Sequence, residues 1–264
     1  MKTYDIHTNN FISKSYSNAT VYDYFLLMKP RVMSLVIFTG FVGIFLAPLK
    51  PHPILSFISL LAIALGAGGS AAINMWYERD IDLIMSRTRY RPIPSGKIHP
   101  SEALSFGVIL SLFSVILLSF SSNFLAGGLL IFTIFFYGVI YTIFLKRSTS
   151  QNIVIGGAAG SLPPVIGWVS STNSISIEPL ILFAIIFLWT PPHFWSLALV
   201  SKDDYKLAKI PMLPVISSIK ETNFQILVYT IILIPFAISP YFIGMATFIF
   251  GLGSMFFGAL FLFF

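Results

Sequence analysis

The chain has 264 residues, of which 56% are hydrophobic and only 10% charged, and sixteen Lys and Arg outnumber ten Asp and Glu. Soluble domains carry about a quarter charged residues, and disordered chains combine low hydrophobicity with high charge density, so both classes are excluded. The sequence contains no cysteine, which excludes disulfide scaffolds and thiolate metal sites.

Long charge-free stretches divide the sequence and indicate membrane spans. They cover residues 32–49, 51–77, 103–145, 148–177, 179–201 and 222–264. About 20 helical residues cross a bilayer, so the two longest stretches must each reverse, one at Ser121-Ser122-Asn123 and the other at Ser239-Pro240. The pattern predicts an all-α polytopic membrane bundle of eight helices, with residues 1–31 as a cytoplasmic N-terminal segment and 32–264 as one transmembrane domain.

The basic residues predict the orientation of this bundle. When the chain is threaded alternately through a bilayer, fifteen of the sixteen Lys and Arg fall on one side and only Lys50 on the other. The positive-inside rule makes the basic side, with the N-terminus, cytoplasmic. The first twenty residues have no arginine and no apolar core of a signal peptide, so we expect a bacterial inner membrane. The positive charge therefore needs no nucleic acid to explain it.

A polar stripe is predicted at the end of the second span. Asn74, Glu78 and Asp82 are four residues apart and share one face if the helix continues, whereas Asp80 points away. Their oxygens suit Mg²⁺, which completes its shell with water and substrate phosphates. The alternative is a helix end carrying solvated charges. That alternative does not explain why the stripe begins with Asn74 inside the apolar segment, where polar groups are costly and usually functional.

Further polar residues follow the predicted spans on the same side. Lys146 and Arg147, shortly before Asn152, could hold a polyphosphate or equally be charges that stop membrane transfer. Asp203 and Asp204 could form a second magnesium site or a solvated loop.

His193 is the histidine that lies in an apolar stretch, directly after Pro191-Pro192. A neutral imidazole there could bind haem iron or donate a hydrogen bond. It could equally bond to carbonyls that the two prolines leave without a partner. The residues alone leave both interpretations open.

In this order, the motifs of the sequence resemble the intramembrane prenyltransferases of the UbiA superfamily, and within it the branch that farnesylates haem. The resemblance covers nearly the whole chain. Its markers are Lys29-Pro30-Arg31, the segment from Asn74 to Asp82 with Arg91-Pro92, Lys146-Arg147 with Asn152, the segment from Gly160 to Trp168, Pro191-Pro192-His193-Phe194-Trp195, and Asp204-Tyr205 before the segment from Ile210 to Pro214.

The resemblance implies a helical bundle with a cavity that opens to the cytoplasm and to lipid. Farnesyl diphosphate would bind there with Mg²⁺, and the farnesyl group would pass to a vinyl group of haem b to give haem O. Haem b is thus expected as a substrate, and haem A synthase or a terminal oxidase as a possible partner. Implied catalytic and metal residues are Asn74, Glu78, Asp82 and Asp204. Implied substrate-binding residues are Arg87, Arg91, Lys146, Arg147, Asn152, His193, Lys202 and Tyr205.

The sequence departs from the family pattern in two respects. Glu78 stands where the superfamily usually has Asp, and eight spans are visible where family members usually have nine. Two other functions compete with haem farnesylation: prenylation of an aromatic quinone precursor within the same superfamily, and transport of a small solute. A transporter places its ionisable groups mid-membrane along a path, whereas these charges cluster at one face.

Overall fold

The computed structural model describes residues 19–263, and every regular element in that part of the chain is helical. Most of the predicted N-terminal segment 1–31, with its basic residues Lys2 and Lys14, lies outside the described residues. The helices are α1 Val21–Leu27, α2 Pro30–Leu46, α3 Pro53–Tyr77, α4 Arg79–Ile84, α5 Pro100–Ser121, α6 Phe124–Phe135, a π-helix Phe136–Leu145, α7 Asn152–Ser161, α8 Pro163–Thr172, α9 Ile177–Val200, α10 Lys202–Leu207, α11 Leu213–Ile216, α12 Ile219–Phe242 and α13 Phe248–Phe263.

Six helical units are long and apolar enough to cross a membrane. They are α3, α5, α6 with the π-helix, α7 with α8, α9, and α12; α1 and α2, bent by 60°, together make a seventh. The apolar helix α13 has 16 residues, a length of about 24 Å against a hydrocarbon core of about 30 Å. The all-helical membrane bundle is therefore confirmed, but the predicted number of eight spans is not.

The two predicted reversals have different outcomes. The first stretch breaks at Ser122 and Asn123, and the Asn123 side chain caps α6 by accepting a hydrogen bond from the N–H of Ala126. The predicted break at Ser239-Pro240 is wrong, because α12 continues to Phe242 and the chain reverses in residues 243–247. Pro240 is tolerated in the last turn of α12, where its carbonyl accepts the N–H groups of two residues of the turn, Met245 and Ala246.

Glycines bring α2 and α8 into backbone contact. A Cβ atom at Gly43 would lie 2.1 Å from the carbonyl oxygen of Pro164, and one at Gly167 would lie 2.1 Å from that of Gly40. Such small residues allow close approach where no hydrophobic effect drives helices together. Elsewhere α3 packs against α5, and α9 packs against α7 and α12.

Side-chain contacts distinguish the two ends of the bundle. At one end the Asn123 amide donates to the carbonyl of Val169, which ties the start of α6 to α8. Lys50 follows α2 and donates to the carbonyls of Phe45 and Ala47 at its C-terminus. The ends of α3, of the π-helix and of α9 meet at the other end, which carries the polar stripe.

Candidate active site

The predicted stripe forms across the junction of α3 and α4. The backbone N–H of Glu78 donates to the carbonyl of Asn74 at 2.9 Å, and that of Asp82 donates to the carbonyl of Glu78 at 2.8 Å. The helical register therefore continues through the junction. Asn74, Glu78 and Asp82 are 1%, 1% and 2% exposed, whereas Asp80 lies at the surface, as the spacing predicts.

Each member of the stripe has a cationic partner from a different segment. The Lys29 ammonium donates to Asn74 Oδ1 at 2.5 Å. Lys146, directly after the π-helix, donates to Glu78 Oε2 at 2.5 Å. Arg91, in the loop after α4, donates to both Asp82 oxygens at 2.8 and 2.9 Å. Three cations therefore lie along one buried row of oxygen acceptors.

Lys29 forms the elbow between α1 and α2. Its φ of 51° lies in the left-handed region, which costs a residue with a Cβ about 1–2 kcal/mol. Its ammonium lies 3.5 Å from the Tyr137 hydroxyl as well as against Asn74. Backbone strain of this kind concentrates at functional sites. Lys29 belongs to the Lys29-Pro30-Arg31 motif, but the local sequence gives no sign that it joins the site, because its partner Asn74 lies 45 residues away.

The Glu78 carboxylate has one free oxygen. Glu78 Oε1 is buried and has no hydrogen-bond partner within residues 19–263. Burial raises the pKa of Glu78, but Lys146 and Lys29 outweigh it and hold the pKa below the usual 4.5, so the group is ionised at neutral pH. An orphaned anionic oxygen between cations fits a bound metal–phosphate group. No three His, Asp or Glu side chains of the described chain come close enough to hold a metal by themselves.

Asp204 is hydrogen-bonded to Ser86, a residue that the sequence did not indicate. Ser86, in the loop after α4, donates to Asp204 Oδ2 at 2.5 Å and so joins the loop after the stripe to α10. Tyr205 packs against an apolar cluster that includes Ile81 and Met85. The sequence gives no indication that Ser86 belongs to the site, because its partner Asp204 lies 118 residues away.

The remaining predicted cations are arranged differently. Arg147 forms a two-bonded ion pair with the exposed Asp80, at 2.9 and 2.7 Å, outside the stripe. Arg87 is exposed and Lys202 is half-buried, and neither side chain has a hydrogen bond or ion pair to any residue from 19 to 263. Lys146 and Arg91 are thus the predicted cations that contact the stripe.

Asn152 supports the backbone that carries Lys146. Its side chain is fully buried, and its amide donates to the carbonyl of Lys146 at 3.2 Å. Asn152 Oδ1 is buried without a partner in the described part of the chain. The structure therefore gives Asn152 a contact with the backbone of the Lys146 segment.

The π-helix contributes a second set of polar groups. Thr142 is fully buried; its hydroxyl donates to the carbonyl of Tyr137 at 2.7 Å and accepts from Asn74 Nδ2 at 3.0 Å. The rings of Tyr137 and Tyr141 stack at 5.5 Å, and a Cβ at Gly156 would lie 2.3 Å from the Tyr141 ring. π-helical turns occur often at functional sites. No sequence pattern indicated this one.

The His193 ring makes no hydrogen bond to a carbonyl of residues 19–263 and stacks instead on Trp189, with ring centroids 4.2 Å apart. Haem binding by His193 stays a prediction. The nearby hydroxyls donate to other carbonyls of α9, Ser196 to that of Pro192 and Thr190 to that of Ile186. Neither of these is a carbonyl that loses its N–H donor to Pro191 or Pro192, which lies four residues before each proline. Trp189 also lines an apolar groove of about 850 Å³ between α9, α12 and α13, which includes none of the predicted polar residues.

Known sequences that resemble this chain belong to one protein family. Residues 36–264 match the UbiA prenyltransferase family. A relative from Beijerinckia indica named protoheme IX farnesyltransferase is 56% identical over 96% of this chain and 78% of its own length. One from Nitrobacter winogradskyi, named protoheme IX farnesyltransferase 2, is 58% identical over 92% of this chain and 78% of its own length.

Solved structures share the fold at low sequence identity. A structure described as digeranylgeranylglyceryl phosphate synthase superimposes with a TM-score of 0.75 at 19% identity, over 92% of this chain and 85% of that one. A UbiA homolog from Archaeoglobus fulgidus bound to DMAPP and Mg²⁺ gives 0.71 at 18% identity, over 91% and 86%.

Proposed function

This chain belongs to the UbiA prenyltransferase family, and we propose that within that family it transfers the farnesyl group of farnesyl diphosphate to a vinyl group of haem b, which yields haem O. It is a multi-pass membrane prenyltransferase. Identities of 56% and 58% to relatives named for farnesylation of protoheme IX support haem as the acceptor.

The observation that carries the proposal is the buried row of acceptors with one cation to each. Asn74, Glu78 and Asp82 face Lys29, Lys146 and Arg91, and Glu78 Oε1 has no partner within the described chain. A protein that only needed a stable bundle would not gain by burying this arrangement, because paired buried charges seldom repay their desolvation. A site for a metal–diphosphate group uses both the anionic row and the cations.

Mg²⁺ fits this donor set, and we assign it to the stripe. Asn74, Glu78 and Asp82 would contribute ligands together with water and the diphosphate oxygens, because the carboxylates of the described chain do not lie close enough to hold a metal by themselves. Asp204 of α10 would contribute a further carboxylate once substrate is bound. When bound, Mg²⁺ supplies positive charge to the diphosphate oxygens and so makes the diphosphate a better leaving group.

The cations of the chain stabilise the charge that develops during the reaction. The bond between C1 of the farnesyl group and the bridging oxygen breaks, and its electron pair leaves with the diphosphate. Lys29, Lys146 and Arg91 would face that negative charge if the diphosphate binds at the stripe, since each of them contacts a member of it. Donors fixed in place before the reaction lower the barrier, because they need not reorganise.

The acceptor completes the reaction without an oxidant or reductant. The π electrons of the vinyl group form a new carbon–carbon bond to C1, which leaves a positive charge on the adjacent vinyl carbon. Water adds there and loses a proton, which gives a hydroxyethylfarnesyl side chain.

We propose that the stripe end of the bundle faces the bacterial cytoplasm at the inner membrane, and that haem A synthase or a terminal oxidase receives the product.

The test is to incubate membranes that contain the protein with haem b, farnesyl diphosphate and Mg²⁺, and to identify haem O by chromatography and mass. We expect Mg²⁺-dependent haem O from the parent and a loss of at least about 100-fold for Asp82→Ala. Asp80→Ala is the matched control, since Asp80 belongs to the same short helix but lies at the surface. Absence of haem O from well-expressed parent protein, or equal turnover by Asp82→Ala and Asp80→Ala, would contradict the proposal.

A further inference from the structure

We propose that Thr142 is a positioning residue that sets the orientation of the Asn74 amide and thereby turns its carbonyl oxygen toward the cation side of the stripe. The inference rests on the proposed function, since it assigns a purpose to Asn74 Oδ1 as a ligand. It concerns a residue of the π-helix that neither the stripe pattern nor the basic motifs include.

The Thr142 hydroxyl has a single proton, and its partner determines where that proton goes. The Tyr137 carbonyl, 2.7 Å away, can only accept, so Thr142 donates its proton there. Toward Asn74 the hydroxyl oxygen can then only accept. At 3.0 Å it faces Nδ2, which is the donor end of the Asn74 amide.

The other end of the amide is constrained independently. The Lys29 ammonium carries donors only, and it lies 2.5 Å from Asn74 Oδ1. If the amide were rotated by half a turn, its NH₂ group would face the ammonium and its oxygen would face a hydroxyl whose proton is engaged elsewhere. Asn74 and Thr142 are 1% and 0% exposed, so water cannot compensate for either mismatch.

The orientation matters because only one end of a carboxamide can bind a metal ion. Asn74 Oδ1 is the neutral member of a row that continues with the free oxygen of Glu78. Residues that orient a ligand from behind typically change metal affinity by about 10- to 100-fold when they are removed. Thr142 acts through Asn74 and has no assigned contact with substrate.

The test measures the Mg²⁺ concentration needed to bind farnesyl thiodiphosphate, a poorly reactive analogue, to the purified protein. We expect Thr142→Val, which keeps the shape and removes the hydroxyl, to raise the Mg²⁺ requirement about 10- to 100-fold. Thr142→Ser should rescue it. Thr230→Val is the matched control, because Thr230 is also buried and also donates to a helix carbonyl, that of Ile226, far from the stripe.

The same Thr142 substitution in an Asn74→Asp variant distinguishes an effect on the orientation of the Asn74 amide from an effect on helix packing. In Asn74→Asp the side chain presents an oxygen in both orientations, so the effect of Thr142→Val on the Mg²⁺ requirement should shrink in the double variant. An unchanged requirement in Thr142→Val, an equal effect in both backgrounds, or a Thr142→Ser variant as impaired as Thr142→Val would overturn the inference. The analogue contains no haem, so a failure here is distinct from a failure to form haem O.

Discussion

Lys29 shows how a single residue joins two structural roles. It adopts a left-handed backbone conformation between α1 and α2, and it places its ammonium on Asn74 and near the Tyr137 hydroxyl. The following Pro30 begins α2, and a proline ring there is compatible with the first helical turn. The strained elbow therefore delivers a cation to the head of the stripe.

Replacing Lys29 by Met tests this role. We expect Lys29→Met to lower kcat/KM for farnesyl diphosphate by about 100- to 1,000-fold, because a donor to the developing negative charge is removed. Lys50→Met is the matched control. Lys50 follows the other end of α2, and within residues 19–263 its ammonium contacts the carbonyls of Phe45 and Ala47 and the Phe45 ring. Steady-state rates of haem O formation give the comparison. Equal values for the two variants would exclude Lys29 from the site.

At the residue scale the sequence predicted the stripe well and its partners only in part. Spacing alone placed Asn74, Glu78 and Asp82 on one face, since a helical period needs no tertiary information. It could not find Ser86 as the partner of Asp204 or Lys29 as the partner of Asn74, because both contacts depend on how distant segments pack. Arg147 pairs with Asp80, a contact that the sequence did not indicate, and its role in binding phosphate stays a prediction.

At the scale of elements, helix ends follow local chemistry where a cap is strong. Asn123 marked the first reversal because its side chain caps α6. Pro240 was a poor guide to the position of the second reversal, because it fits into the last helical turn of α12. The chain reverses at the following residues, where Gly244 has a φ of 77°. The π-helix could not be predicted, for a different reason. Its i→i+5 hydrogen bonds are rare in an isolated helix and are supported here by tertiary contacts, such as that between Thr142 and Asn74, which the local sequence does not encode.

The glycine contact between α2 and α8 predicts the cost of added volume. Gly43→Ala would bring a methyl group against the Pro164 carbonyl, which belongs to backbone and cannot move aside, so we expect a loss of about 1–3 kcal/mol in stability. Gly128→Ala in α6 is the control, because a Cβ atom there meets nothing within 4 Å. Thermal unfolding in detergent should show a lower midpoint for the first variant alone. A Gly43→Ala midpoint equal to that of Gly128→Ala would contradict the close approach.

For the whole molecule, the basic residues make a prediction about orientation. The chain has no cysteine, so single cysteines can be introduced without a background. Ser95 lies in the exposed loop after the stripe, and Ser174 lies in the exposed turn between α8 and α9 at the opposite end. In spheroplasts we expect an impermeant maleimide to label Ser174→Cys and to reach Ser95→Cys only after the membrane is opened. The reverse pattern would place the stripe end outside.

The pairing of the stripe has a consequence for how the chain is made. Arg91 emerges from the ribosome soon after its partner Asp82. Lys146 emerges much later than its partner Glu78, which precedes it by 68 residues. A carboxylate cannot be left in hydrocarbon without a partner, so the end of α3 must stay in contact with water until the π-helix and Lys146 have been synthesised. The site can therefore be completed only after the span that precedes Lys146 has been synthesised.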